Sequence, residues 1–147
     1  MKHTPAARSR ARRFALQALY QMQLSGCSAD EAERQFLQDY EMKRVDTQYL
    51  HDLLAGIEAN RKGLVEAYSR KLDRDESDLG PVERAVLLIG TFEIVYRIDI
   101  PFKVSINESI ELAKQFGASE SHRLVNTVLD ELATEFRTVE RRSLQEP

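Results

Sequence analysis

From Ala11 to Phe136 the apolar residues of this sequence recur at steps of three and four, the spacing that lines one face of an α-helix. With only 6 glycines and 4 prolines in 147 residues, few positions are left for the turns of an all-β chain. Only Val104 to Ile106 resembles a strand. The fold class read from this pattern is all-α. The length allows one domain with a substantial core and is too short for two full ones.

The helices can be placed by their ends. Ala11, Phe14, Ala15, Ala18, Leu19 and Met22 form a stripe that stops before Gly26. Ser28 and Glu31 make a capping box for a short helix burying Phe36, Leu37 and Tyr40. Asp46 is the N-cap expected for a longer helix carrying Leu50, Leu53, Leu54, Ile57, Leu64, Tyr68 and Leu72, with a bend or break between Asn60 and Gly63. The acidic stretch 73–80 is the expected internal boundary, separating an N-terminal bundle of about 6–72 from a C-terminal bundle of about 80–137. Pro81 suits the first turn of the next helix, which is apolar on most of its circumference and should be central. Pro101 excludes helix from the 98–102 connection. Ser105 and Glu108 form a second capping box, Gly117 is a good C′ residue, and Ser121 opens a last helix running to Phe136. Residues 141–147 carry no core pattern and are expected to be frayed.

Most catalytic classes find no support. His3, His51 and His122 are scattered, and Cys27 is the single cysteine, so neither a metal site nor a disulfide is expected. No glycine-rich loop precedes a Lys-Ser or Lys-Thr pair, and adjacent Ser121 and His122 diverge on a helix. The chain reads as a protein without enzymatic activity and without a cofactor. The longest apolar run, 85–90, is far below the roughly 20 residues that span a bilayer, and no export signal is evident. A reducing cytoplasm is the expected compartment, with no membrane partner.

Net charge is −3, but it is segregated. Residues 1–13 hold Lys2, Arg8, Arg10, Arg12 and Arg13 and no carboxylate, a net +5; the remaining 16 basic and 24 acidic residues give −8. Arg8 and Arg12 share one helical face, Arg10 and Arg13 another, so several guanidinium groups should point outward. Guanidinium forks suit phosphate oxygens and stack on bases, as RNA recognition requires; the alternative is a terminus that only solubilises. An arginine-rich first turn also opposes the helix dipole. A second candidate is 116–123, where Ser119, Glu120, Ser121, His122 and Arg123 meet at a helix start, with Lys114 one turn upstream. Its alternative is an ordinary helix–helix joint with Ser119 or Ser121 as N-cap. Tyr20, with Leu16, lies off the main stripe and should face a neighbour or a base.

The run Pro5-Ala6-Ala7-Arg8-Ser9-Arg10-Ala11-Arg12-Arg13, followed by Ala18-Leu19-Tyr20, resembles the start of the NusB family of bacterial transcription antitermination factors. The resemblance continues in Asp52-Leu53-Leu54-Ala55-Gly56, in Val82-Glu83-Arg84-Ala85-Val86-Leu87 and in Pro101-Phe102-Lys103-Val104. It extends through Ile106-Asn107-Glu108, Glu111-Leu112-Ala113-Lys114, Phe116-Gly117, His122 and Val125-Asn126, covering roughly 5–136. Singly these motifs are weak; their order and spacing are specific. The resemblance implies two packed three-helix bundles, six to seven helices in all. It also implies an adaptor that pairs with the small-subunit ribosomal protein acting as NusE, binds boxA RNA, and joins elongating RNA polymerase with other Nus factors. Carried over by motif, Lys2, Arg8, Arg10 and Arg12, with Ser119, Glu120 and His122, would contact RNA, and Glu83 would face the NusE-type partner. Ser9 stands where the family often has arginine, and Glu120 where aspartate is common. Two other classes remain open: a helical protein–protein adaptor without an RNA role, and an RNA-binding appendage of an RNA methyltransferase system. The sequence does not decide between monomer and homodimer.

Overall fold

The structure, a computed structural model, describes residues 3–145. It is all-α, with seven α-helices, one 3₁₀ turn and no strand among the described residues. The helices are α1 (Pro5–Ser25), α2 (Ala29–Asp39), α3 (Thr47–Ser69), α4 (Pro81–Tyr96), α5 (Phe102–Phe116), α6 (Ser121–Phe136) and α7 (Thr138–Gln145). No helix is long and apolar enough to cross a membrane.

The chain forms two compact units, Met1–Arg61 and Lys62–Pro147. The division falls inside α3 rather than in the acidic stretch 73–80. At Asn60 the backbone leaves the helical region (φ −117°, ψ 15°), and the Asn60 side-chain amide donates to the Gly56 carbonyl at 2.8 Å. Beyond it, Arg70 and Lys71 pair with Glu135 of α6, so the end of α3 belongs with the second unit. Most of the acidic stretch is exposed, but Glu76 is half-buried. Glu76, in the 3₁₀ turn Glu76–Asp78, accepts from the Tyr68 hydroxyl and from Arg84 Nε, both at 2.6 Å.

In the first unit α1 packs on α2, and its caps are the ones the local sequence encodes. Gly26 closes α1 in the left-handed region (φ 76°), where a Cβ would be strained. Ser28 accepts from the Glu31 N–H at 3.1 Å, and Asp46 from the Tyr49 N–H at 3.0 Å. Leu16 is buried inside α1 rather than standing off the stripe, while Tyr20 keeps 38% of its surface exposed.

In the second unit α4, α5 and α6 pack against one another, and every residue from Ala85 to Ile94 is buried, as a central helix requires. They approach closely at Gly90, where a Cβ would lie 2.5 Å from Leu129 Cδ1 and 2.8 Å from Ser109 Oγ. Three local expectations are corrected here. Helix α5 begins at Phe102, one turn before the Ser105–Glu108 pattern, and Ser105 is wholly buried inside it. Its first N–H, of Phe102, is satisfied from α7 by Glu140 Oε2 at 2.9 Å. Gly117 is extended (φ −97°, ψ −178°) rather than left-handed; it is small because a Cβ would lie 2.8 Å from the Ala113 carbonyl and 3.1 Å from Ser121 Cβ.

The third correction concerns the chain end, which continues as helix α7 through Gln145 instead of fraying at 141. Arg141 lies over the Phe102 ring at 4.9 Å and reaches Asp130 Oδ1 at 2.7 Å. Just before it, the buried Arg137 guanidinium donates to the carbonyls of Glu93, Ile94 and Arg97 at 2.8–3.0 Å. That closes the C-terminal end of α4, where the dipole favours a cation and the Glu93 and Arg97 carbonyls also accept the Arg97 and Ile100 N–H groups.

Candidate nucleic-acid interface

The arginine-rich segment is built on the start of α1. Thr4 caps it, accepting the Ala7 N–H at 3.0 Å, and Pro5 occupies the first helical position. The four arginines then divide by face. Arg8 and Arg12 turn toward the buried Tyr49, their Cζ atoms 4.7 and 5.4 Å from its ring centroid. Arg8 Nε also lies 3.6 Å from Asp46 Oδ2, and His3 Nδ1 lies 3.1 Å from the same oxygen. Burial alone would raise the Asp46 carboxyl, but the Tyr49 N–H, His3 and Arg8 together hold it below its ordinary value.

Arg12, one of the expected RNA contacts, is placed inside the fold. At 3% exposure it has no surface to offer a phosphate, and its guanidinium serves the packing of α1 on Tyr49. Arg8 keeps a partial surface, 29% of its side chain. His3 is tied to Asp46. Lys2 lies outside the described residues.

Arg10 and Arg13 take the other face and stay partly exposed. They border a groove of about 400 Å³ together with Phe14, Glu41, Lys43 and Arg44. Two hydrogen bonds, one backbone and one from a side chain, fold the 41–46 segment onto α1: Asp46 N–H to the Ala7 carbonyl at 3.2 Å, and Arg10 Nη1 to the Arg44 carbonyl at 3.2 Å. Among the described residues, none of Arg10, Arg13, Lys43 and Arg44 has a carboxylate partner, and Glu41 Oε1 accepts the Lys43 backbone N–H at 2.7 Å. Lys43 and Arg44 were not singled out from sequence. A lone basic pair in a loop carries no signal until the fold brings it to α1.

The second region belongs to the other unit. The Arg123 guanidinium pairs with Glu120 at 2.9 Å, with both side chains at least 70% exposed. Ser119 is exposed and His122 half-buried. Neither serine is an N-cap: α6 is preceded by Glu120 without a side-chain cap, and Ser121 is its first, buried residue. The Ser121 hydroxyl donates to Glu83 Oε2 at 2.8 Å, while Glu83 Oε1 accepts the Gly80 N–H at 3.0 Å. Both oxygens of the residue expected to face a protein partner are thus engaged in joining the starts of α4 and α6. An open cavity of about 550 Å³ runs past Glu83, Ser119, Glu120 and Arg123 to Lys71 and Arg74. Those last two cations are paired with Glu135 and Asp73 at 3.0 and 2.9 Å.

Comparison with known proteins bears on the whole chain. The sequence pattern of the NusB family matches residues 9–134. A protein of Alcanivorax borkumensis called "Transcription antitermination protein NusB" is 50% identical over 137 residues, 93% of this chain and 91% of that protein. A protein of the same name from Yersinia enterocolitica is 50% identical over 133 residues, 90% of this chain and 96% of its own length. Among solved structures, T. maritima NusB superposes with a TM-score of 0.79 at 29% identity, covering 97% of this chain and 99% of that one. A chain from a crystal structure of antitermination factors NusB and NusE in complex with dsRNA superposes with a TM-score of 0.78 at 20% identity. It covers 87% of this chain and 96% of that one, a likeness of fold.

Proposed function

The chain belongs to the NusB family of transcription antitermination proteins, and from that premise we propose that it acts as a non-catalytic RNA-binding adaptor in the cytoplasm. With a NusE-type ribosomal protein it binds boxA RNA and supports processive transcription by RNA polymerase carrying other Nus factors. The observation that carries this reading is the outward face of α1. Among the described residues, Arg10 and Arg13 stand there without carboxylate partners, in a chain that elsewhere pairs most of its arginines.

Arg10 and Arg13 are the principal arm contacts, joined by the exposed edge of Arg8. Ser119, Glu120, His122 and Arg123 form the second contact region, where the Arg123–Glu120 pair opens to release the cation for phosphate. Glu83 acts on partner binding by fixing the start of α6 through Ser121 rather than by direct reach. The acidic remainder of the chain discourages indiscriminate RNA binding and suits a basic protein partner.

The test is the affinity of the chain for boxA RNA across a salt series, with and without the NusE-type protein. Three arm contacts give a log–log slope of roughly −2 from the arm alone. Adding the partner should tighten binding, and Arg10→Ala with Arg13→Ala should remove most of it. Unchanged affinity in that double variant would remove the arm from the RNA contacts, and no RNA binding by the wild type would leave a protein–protein adaptor.

A further inference from the structure

We propose that the groove between α1 and the 41–45 loop is a second stretch of the RNA path, where Lys43 and Arg44 hold phosphates of a single strand and Tyr40 stacks one unpaired base. This rests on the RNA-binding reading above and extends it to residues outside the arm.

Charge is the first support. Arg10, Arg13, Lys43 and Arg44 border one groove of about 400 Å³, against the single carboxylate of Glu41, which is turned to the Lys43 N–H. Like charges gathered without counter-charge repel one another, and an anion relieves that repulsion. The contrast with the rest of the chain is direct: Arg34, Arg74, Arg97 and Arg141 each pair with an aspartate at 2.5–2.9 Å. Four cations in one place without such pairing fit an external polyanion.

The aromatic wall is the second support, and it separates RNA from other anions. Phe14 borders the groove, and Tyr40 packs against it with centroids 5.3 Å apart. Phe36 lies nearly parallel beneath Tyr40, at 5.3 Å and 17°. This stack fixes the Tyr40 ring, yet 49% of the residue remains exposed. A rigid, half-exposed ring beside guanidinium groups is the arrangement on which unpaired bases stack. An acidic peptide would use the cations and leave the ring idle.

The experiment uses the full chain with its NusE-type partner and a boxA-containing single-stranded RNA, in a salt series. Lys43→Ala with Arg44→Ala should make the log–log slope shallower by about 1.4, two phosphate contacts' worth. Tyr40→Ala should weaken binding about tenfold with the slope unchanged, and Tyr40→Phe should retain affinity. Because Tyr40→Ala touches the Phe14–Phe36 packing, ultraviolet crosslinking of RNA to the wild-type chain, located by mass spectrometry, supplies a second readout. A crosslink at Tyr40 supports the proposal. RNA binding by the wild type that is indifferent to the Lys43/Arg44 variant overturns this path and leaves the adaptor reading standing. Weaker partner-protein binding in that variant, with RNA affinity intact, makes the groove a protein-docking site and also overturns it. No RNA binding by the wild-type complex at any salt overturns both readings.

Discussion

At the start of α1 positive charge exceeds what the neighbouring side chains can pair; at the start of α6 the charged and hydroxyl groups have partners at hand. Around α1, Asp46 takes Arg8 and His3, Tyr49 takes the faces of Arg8 and Arg12, and among the described residues Arg10, Arg13, Lys43 and Arg44 are left without a carboxylate. Around α6, Arg123 holds Glu120, Ser121 holds Glu83, and the nearby Lys71 holds Glu135. An arginine in this protein is therefore either spent on the fold or spare for a ligand, and only its packing tells which. A spent arginine should cost stability when removed, and a spare one should cost binding.

Arg137 is the extreme of the spent class, and its removal is the largest effect expected. Its guanidinium is buried and serves three carbonyls at the end of α4. Arg137→Ala takes the buried donor from the Ile94 carbonyl and the second donor from the Glu93 and Arg97 carbonyls, and should cost about 3 kcal/mol of stability, measured by urea unfolding. A variant as stable as the wild type would mean that burial does not identify a spent arginine.

Next come Arg12 and Arg10, two residues apart in sequence and opposite in use. Arg12→Ala should lose about 2 kcal/mol of stability through lost packing on Tyr49. Arg10→Ala should stay within about 0.5 kcal/mol of wild type and weaken RNA binding instead. If Arg12→Ala left stability intact and abolished RNA binding, the division by burial would be broken at the position that matters most to it. On the α6 side, Ser121→Ala should cost about 1 kcal/mol, the worth of one hydrogen bond to a carboxylate that keeps its other partner.

What the sequence could reveal followed from how far each partner lies along the chain. The caps at Ser28 and Asp46, the stop at Gly26 and the break at Asn60 depend on groups within four residues, and they were legible. The α5 start was placed late because the group that satisfies the Phe102 N–H is Glu140, two helices onward. The C-terminal helix was missed because Arg141 packs on Phe102 and Asp130, not on its own apolar stripe. The candidate interface divides the same way. Charge pattern identified the basic segment, but burying Arg12 takes Tyr49, and assembling the groove takes the return of 41–46 onto α1. The family resemblance could place residues in order; it could not say which arginine turns inward.

The smallest effect expected is a pH dependence at Asp46, the residue where spent and spare charge meet. Burial pushes its carboxyl upward, while the Tyr49 N–H, His3 and Arg8 pull it down further, to a value below the ordinary 3.8. A carboxyl whose folded value is depressed contributes stability that is complete above its unfolded value and is lost as pH falls through the folded one. The wild type should therefore lose stability relative to Asp46→Asn as the pH falls below about 4. Because burial offsets part of what the partners contribute, the slope is shallow, and subtracting the variant isolates it from the other carboxylates. Lost in that acid range are the ties that Arg8 and His3 make to Asp46, while Arg10, Arg13, Lys43 and Arg44 keep their surroundings. A wild type that instead lost stability relative to Asp46→Asn as the pH rose would mean that the Asp46 carboxyl is destabilised in the fold, and that the inward arginine face is held by Tyr49 alone.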